Sequence, residues 1–154
     1  DPGDGSAGPT TSATNGSGIA STDWTLGSTA GGQALAASVT GASSANFSAT
    51  AEAGAPATVA VQSGNNQTGT IGQALTNPLQ VLVTDALGNP VSGATVTWTP
   101  SGDGSTSPTS SLTNGSGIAS TDWTLGSTAG GQTLDAGVTG ASPATFDATA
   151  LAGE

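Results

Sequence analysis

Residues 79–98 read LQVLVTDALGNPVSGATVTW, which is two runs of alternating apolar residues on either side of a turn. In the first run Leu79, Val81 and Val83 fall on one side of an extended chain, because side chains alternate faces with period two. The turn DALGNP combines Gly, Asn and Pro, which supply the backbone angles that turns need. In the second run a valine and Trp98 alternate with threonines, which suit a half-buried pleated sheet. The stretch predicts two β-strands joined by a turn.

The same alternation recurs along the rest of the chain. Residues 58–62, 118–125, 134–138 and 146–150 each place apolar side chains on one face, and a loop rich in Gly, Ser and Pro covers residues 101–111. No segment keeps a helical period, and short strands between turn signals favour a β-sandwich. About seven strands in about 100 residues is the size of an immunoglobulin-like domain. We therefore expect an all-β, immunoglobulin-like β-sandwich.

The inward faces of these strands predict a core of aliphatic and aromatic side chains. Its expected members are Val59, Val61, Leu79, Val81, Val83, Val96, Trp98, Trp123, Leu125, Leu134, Val138 and Phe146. Leu, Ile, Val and Phe make up only 23 of the 154 residues, below the share of about 20% that usually separates folded from disordered chains. Since each tryptophan can bury about 150–250 Å², we expect a thin sandwich packed by tryptophans and small residues.

A repeat organises the chain. Residues 14–33 and 113–132 are identical, both reading TNGSGIASTDWTLGSTAGGQ, with an offset of 99 residues. The correspondence continues without a gap from Gly3 to Gly54, which match Gly102 to Gly153. The sequence thus predicts tandem repeats of about 99 residues.

The position of the matching residues within the repeat gives the predicted domain organisation. Residues 1–54 are interpreted as the C-terminal half of one immunoglobulin-like repeat, and residues 55–154 as one complete repeat. Two interpretations of the half repeat stay open. Either the chain is a window from a longer tandem array, or strands from a neighbouring chain complete the half domain.

The charge balance excludes several classes of function. The chain has ten acidic residues, no Lys, Arg or His and a formal net charge of −10. Without cations it cannot neutralise nucleic-acid phosphates or bind anionic membranes directly. The absence of His and Cys removes most zinc, haem and iron–sulfur sites, the usual general base and the thiol nucleophile. We predict no catalytic, cofactor-binding or metal-binding residues and a protein that is not an enzyme.

The individual acids favour structural roles. Asp23 and Asp122 each precede a tryptophan in a predicted strand, so they are expected to point outward into solvent. Asp85 opens a turn in which its carboxylate can accept backbone N–H groups. Asp103 lies in a loop that could help to bind Ca²⁺, which takes oxygen ligands. The EF-hand spacing is absent, so an isolated loop acid is the favoured interpretation.

Four sequences of the type N-x-S/T begin at Asn15, Asn46, Asn66 and Asn114. Such sequons accept N-linked glycans in secreted proteins. In a chain so rich in Ser and Thr, chance is a sufficient explanation for them.

These segments resemble one known family, the bacterial immunoglobulin-like domain of group 1, of the invasin and intimin type. The resemblance rests on PATVAVQSGNNQTGTIGQAL at 56–75, on the stretch 79–98, on NGSGIASTDWTLGSTAGGQTLDAGV at 114–138 and on ATFDATAL at 144–151. It implies domains strung in tandem on bacterial surface proteins, as rods that hold a tip away from the cell. It implies no shared catalytic residues.

The resulting hypothesis is a structural extracellular repeat that forms a stalk, fibre or surface filament. Its expected partners are neighbouring repeats or identical chains, and a cell-surface ligand would be bound by another part of the parent protein. The alternative is an adhesin, or a phage accessory immunoglobulin-like module, that itself binds a cell surface. Both hypotheses place the chain outside the cell or at the cell surface.

Overall fold

The computed structural model describes residues 4–153, which form thirteen β-strands and no helix. The described residues therefore contain no helix that could cross a membrane. The chain divides into two compact units, Asp1–Glu52 and Ala53–Glu154. The all-β fold predicted from the alternating pattern is confirmed.

The first unit contains four strands in two antiparallel pairs. They are β1 (Ser6–Gly8), β2 (Asp23–Thr25), β3 (Gly31–Ala37) and β4 (Ala45–Ala51). Strand β1 pairs with β2, and β3 pairs with β4 as a hairpin in which Leu35 lies opposite Phe47.

The second unit contains nine strands in two sheets. They are β5 (Thr58–Ser63), β6 (Gln67–Thr70), β7 (Leu79–Thr84), β8 (Thr95–Pro100), β9 (Ser105–Ser107), β10 (Ser110–Leu112), β11 (Ile118–Thr124), β12 (Gly130–Gly137) and β13 (Ala144–Leu151). One sheet has the order β10-β8-β12-β13-β6 and the other has the order β5-β7-β11-β9. All neighbours are antiparallel except β6 and β13, which run parallel. This is the predicted immunoglobulin-like β-sandwich.

The core of the second unit lies between the two sheets. Every predicted core residue is buried except Val61, which is 37% exposed. Strand β5 is at the edge of its sheet, and its register with β7 shifts between Val61 and Ser63. Because the strand leaves the regular ladder at this bulge, Val61 is not held against the opposite sheet. The core also includes residues that the strand pattern did not predict, among them Leu75 and Val91.

The predicted loop 101–111 is wrong in part, because it contains β9 and the first two residues of β10. Strand β9 pairs with residues 122–124 of β11, and β10 pairs with residues 95–97 of β8. Both strands consist almost entirely of Ser and Thr, so they carry no apolar alternation that would reveal them. Their pairing with long neighbouring strands determines their conformation, which is a tertiary effect.

Candidate functional site

The repeat gives one sequence in two structural settings. In the second unit, strand β11 spans seven residues, Ile118–Thr124, whereas the matching strand β2 of the first unit spans only Asp23–Thr25. Residues 118–121 pair with β7, and residues 122–124 pair with β9. The first unit has a counterpart of β9 in β1, but its described residues contain no counterpart of β7. The strand shortens where its partner is missing.

Side-chain exposure follows the same rule. Phe146 is fully buried, whereas the matching Phe47 is 54% exposed, and Val138 is 9% exposed, whereas Val39 is 67% exposed. No residue among the described positions 4–52 is buried. Ten residues of the first unit match core residues of the second, and we call them the open core residues. They are Ala20, Trp24, Leu26, Leu35, Ala37, Val39, Ala45, Phe47, Ala49 and Ala51.

The loops that hold these strands are built alike in both units. The carboxylate of Asp4 accepts hydrogen bonds from the backbone N–H, at 2.9 Å, and the hydroxyl of Ser28. Asp103 accepts the same pair from Ser127, with 3.0 Å to the N–H. The serine hydroxyl, followed by the serine N–H, lowers the pKa of each aspartate below its ordinary value. Each carboxylate therefore stabilises its loop by bonding to a serine 24 residues further along the chain.

A glutamine side chain in each unit stabilises the same loop through a second hydrogen bond. The side-chain oxygen of Gln132 accepts the N–H of Gly126 at 2.8 Å, and that of Gln33 accepts the N–H of Gly27 at 2.7 Å. These contacts lie within one unit each, so the loop conformation does not need the strands that complete the second unit.

The sequence candidates for binding remain scattered over the surface. Asp23 and Asp122 are exposed, on the opposite face from the adjacent tryptophans, as predicted. Within residues 4–153 no three acidic side chains come together as a metal site. The carboxylate of Asp103 is bonded to Ser127, and the less favoured alternative of calcium binding in this loop is untested. The four sequon asparagines are all exposed, and the interpretation that these sequons occur by chance is untested.

Asp85 is the most extensively bonded acid among the described residues, and it is only 5% exposed. One carboxylate oxygen accepts the N–H groups of Leu87 at 2.9 Å and Asn89 at 2.8 Å. The other accepts the N–H of Gly54 at 2.8 Å and the side-chain amide of Asn89 at 3.0 Å. The turn role predicted from DALGNP is confirmed. The hydrogen bond from Gly54 holds the beginning of the second unit against this turn. The local sequence did not predict it.

Replacing Asp85 should reveal the strength of this anchor. The Asn89 side chain, followed by the Gly54 N–H, lowers the pKa of Asp85 from 3.8 to about 2. The ionised carboxylate of Asp85 thus stabilises the fold fully at a pH above 3.8, its pKa in the unfolded chain. This contribution is lost as the pH falls through about 2, its pKa in the folded protein. Asp85→Asn should lower the melting temperature at neutral pH. The NH₂ group of the asparagine can only donate, and it would face N–H groups that one carboxylate oxygen of Asp85 now accepts. The difference from wild type should shrink on acidification from about pH 4 to about pH 2, as followed by circular dichroism.

The exposed Asp122 provides the control. Asp122→Asn should change the free energy of unfolding by less than about 0.5 kcal/mol, as surface substitutions usually do. An Asp85→Asn variant whose melting temperature equals that of Asp122→Asn at neutral pH would contradict the anchoring role.

The outer face of the five-stranded sheet has an open depression of about 510 Å³. Its lining consists of Thr95, Thr97, Thr99, Asp135, Gly137, Val138, Thr139 and Pro143. Asp135 accepts the hydroxyl of Thr145 at 2.6 Å. Asp135 is the only titratable group in this lining, whereas glycoside hydrolysis uses a pair of carboxyl groups.

Comparisons with known proteins agree with this architecture. The chain is similar to the Escherichia coli adhesin FdeC, with 21% identity and a TM-score of 0.65, over 97% of this chain and 49% of that one. It is also similar to the Yersinia pseudotuberculosis adhesin InvE, with 17% identity and a TM-score of 0.51, over 95% and 46% of the two chains. The chain thus spans about half the length of these structures. A β-glycosidase from Bacteroides vulgatus matches with 15% identity and a TM-score of 0.51, over 86% of this chain and 19% of that one.

These structural likenesses concern the fold, and their identities are too low to carry a function. The search of curated proteins found no match. The family comparison is more specific, because the description "Bacterial Ig-like domain (group 1)" matches residues 63–151. That range contains the turn of Asp85, the tryptophans Trp98 and Trp123 and the last strand β13. The chain belongs to the bacterial Ig-like domain family, group 1.

Proposed function

We propose that this chain is an extracellular, non-enzymatic module of a tandem array that forms a stalk, fibre or surface filament. The observation that carries the proposal is the ungapped repetition, at an offset of 99 residues, of the C-terminal half of the β-sandwich sequence. Tandem folds gain stability from their units and from contacts between neighbours, which makes repetition suitable for extended structures.

The surface chemistry supports a mechanical role over a chemical one. Of the acids that the structure describes, Asp4, Asp85 and Asp103 are bonded within loops, whereas Asp23 and Asp122 are exposed on strands. A net charge of −10 without any Lys, Arg or His gives every copy a surface of one sign. Like-charged copies repel laterally and stay soluble, so an array would remain a separate fibre.

The array hypothesis predicts particle length. Chains carrying two, four and eight copies of residues 55–153 should appear by negative-stain electron microscopy as thin rods whose length rises linearly with copy number. The native material should give rods of the same width. Compact particles whose diameter grows as the cube root of mass would overturn the stalk.

The adhesin alternative is suggested by FdeC and InvE, which are both described as adhesins and share the fold of this chain. Under that alternative this chain would itself bind a cell surface, whereas a stalk leaves binding to another part of the parent protein. Fluorescently labelled chain should give saturable binding to host or bacterial cells only under the adhesin alternative. A version in which Asp122 and Asp147 are both replaced by Asn controls for non-specific charge effects.

A further inference from the structure

Three turns of the chain share one pattern of hydrogen bonds, and they begin at Asn15, Asp85 and Asn114. In each turn a side-chain oxygen of the first residue accepts the backbone N–H groups two and four residues further on. At Asn114 these donors are Ser116 at 2.9 Å and Ile118 at 3.1 Å. The fourth residue of each turn is a glycine with positive φ. One turn is thus built on a carboxylate and two are built on a carboxamide.

In the two asparagine turns the next residue is a glycine, at Asn15-Gly16 and Asn114-Gly115. The backbone nitrogen of such a glycine can attack the side-chain Cγ of the asparagine, because glycine has no Cβ to obstruct the approach. The new N–Cγ bond closes a succinimide ring, the Cγ–Nδ2 bond breaks, and Nδ2 leaves as ammonia with the amide proton of the glycine. Water then adds to one of the two ring carbonyls and opens the ring to aspartate or isoaspartate. The sum is asparagine plus water giving the acid plus ammonia.

The hydrogen bonds of the turn favour this attack. The ring that the Ser116 N–H closes with Oδ1 of Asn114 contains both reacting atoms, so it restricts the torsions that separate them. Negative charge develops on Oδ1 during the attack, where two N–H groups already point, as in an oxyanion hole. Among the described residues, neither the N–H of Gly115 nor the NH₂ group of Asn114 has a hydrogen-bond partner. The nucleophile and the leaving group are therefore free to react.

Both turns are also open to water. Residues 15–17 and 114–116 are all exposed, and a Cβ added at Gly16 or Gly115 would meet nothing within 4 Å. The other five asparagines of the chain precede Phe, Asn, Gln or Pro. The side chain of the following residue obstructs attack there, and proline has no N–H to lose. The two Asn-Gly turns are thus the reactive sites among the asparagines.

The turn of Asp85 shows how the product is held. Its carboxylate accepts the corresponding two N–H groups at 2.9 and 2.8 Å, so an aspartate fits this turn without rearrangement. A carboxylate is also the stronger acceptor. The same N–H pair directs the opening of the ring, because water that adds at Cγ places the negative charge on Oδ1. That addition gives aspartate, whereas addition at the main-chain carbonyl gives isoaspartate.

We propose that the turns at Asn15 and Asn114 convert themselves, in the folded chain and without an enzyme, into aspartate turns like that of Asp85. Each conversion replaces a neutral amide by a carboxylate, so the formal net charge of −10 becomes more negative by one unit per turn. The chain becomes more acidic with age while both turns keep their hydrogen bonds. This modification is independent of whether arrays form rods.

The test uses the intact chain, incubated in mildly alkaline buffer made with water enriched in oxygen-18. Anion-exchange chromatography and intact-mass spectrometry should show two more acidic species in succession, which carry one and two oxygen-18 atoms. Because residues 14–33 and 113–132 are identical, the labelled positions are located by electron-transfer fragmentation of the whole chain. The same fragmentation distinguishes aspartate from isoaspartate, and aspartate should be in excess at both positions.

An incubation of the chain unfolded in guanidinium chloride isolates the effect of the turn. Without the N–H pair, isoaspartate should be in excess. The reason is that the main-chain carbonyl of the ring lies next to the carbon that carries the electron-withdrawing amide nitrogen. The ratio of the two products should therefore reverse between the folded and the unfolded chain.

Three variants make the test specific. Gly16→Ala and Gly115→Ala should each remove one of the two acidic species, and the open space at both positions keeps the fold intact. Asn114→Asp supplies the product directly and should melt at or above the temperature of the wild type at neutral pH.

Four results would overturn the proposal. The first is an unfolded chain that reacts while the folded chain does not, which would mean that the turns protect their asparagines. The second is an excess of isoaspartate in both states. The third is unchanged formation of both acidic species in the two alanine variants. The fourth is a lower melting temperature for Asn114→Asp, which would mean that a carboxylate does not fit the turn.

Discussion

Phe146→Ala is expected to destabilise the second unit by about 3–5 kcal/mol, the usual cost of deleting a buried phenylalanine ring. Phe146 is fully buried between the sheets, and its ring lies 6.1 Å from that of Trp98. Globular domains have a total stability of about 5–15 kcal/mol, so this loss would be a large fraction of it. Denaturant unfolding, followed by tryptophan fluorescence, measures the change.

The repeat supplies a matched control at Phe47. The sequence around the two phenylalanines is nearly the same, but Phe47 is 54% exposed and lies outside the second unit. Phe47→Ala should shift the transition of the second unit by less than about 0.5 kcal/mol. Equal shifts from the two variants would mean that the two phenylalanines have equivalent environments, contrary to the structure.

Gly117→Ala should have the next largest effect, a loss of about 2–4 kcal/mol from backbone strain and overpacking. Gly117 has a φ of +73°, and an added Cβ would lie 2.6 Å from the carbonyl oxygen of Val83 and 3.0 Å from Cβ of Pro90. The carbonyl of Gly117 also accepts the N–H of Val83 at 2.8 Å, so the turn cannot move away without breaking this bond. The variant is measured in the same denaturant titration.

Gly18 is the control for this prediction, because it lies in the identical twenty-residue block. Its φ is +76°, and an added Cβ would meet nothing within 4 Å. Gly18→Ala therefore adds backbone strain alone, about 1–2 kcal/mol in the first unit. It should leave the transition of the second unit unchanged. A similar loss in that transition from both variants would contradict the assigned contact with Val83.

The sequence predicted much of the sandwich because its long central strands alternate apolar and polar residues. Strands β7, β8, β11 and β13 all follow that pattern. The short strands β6 and β9 were missed, since QTGT and STS contain no apolar residue and gain their conformation from pairing. Val61 was placed in the core because alternation does not reveal a bulge at the end of an edge strand.

The different exposure of matched residues in the two units does not follow from the local sequence pattern. Identical residues behave differently in the two units, as Phe47 and Phe146 show. Burial depends on which segments are present to cover a strand, and no local pattern encodes that. The bond from Gly54 to Asp85 is a similar case, since the two residues are 31 positions apart. The turn motif identified the acceptor but not its most distant donor.

The parallel pairing of β6 with β13 has a consequence for a protein that is pulled along its length. Strand β6 lies near the beginning of the second unit and β13 at its end, with residues 67–70 alongside residues 148–151. Once tension on the two ends of the unit has detached β5, which precedes β6 and pairs with β7, it pulls β6 and β13 past each other in opposite directions. All the hydrogen bonds of the ladder then carry the load together, instead of opening one after another as in a zipper. A unit built in this way keeps a strongly resisting pair of strands, β6 and β13, after its first strand has been pulled away.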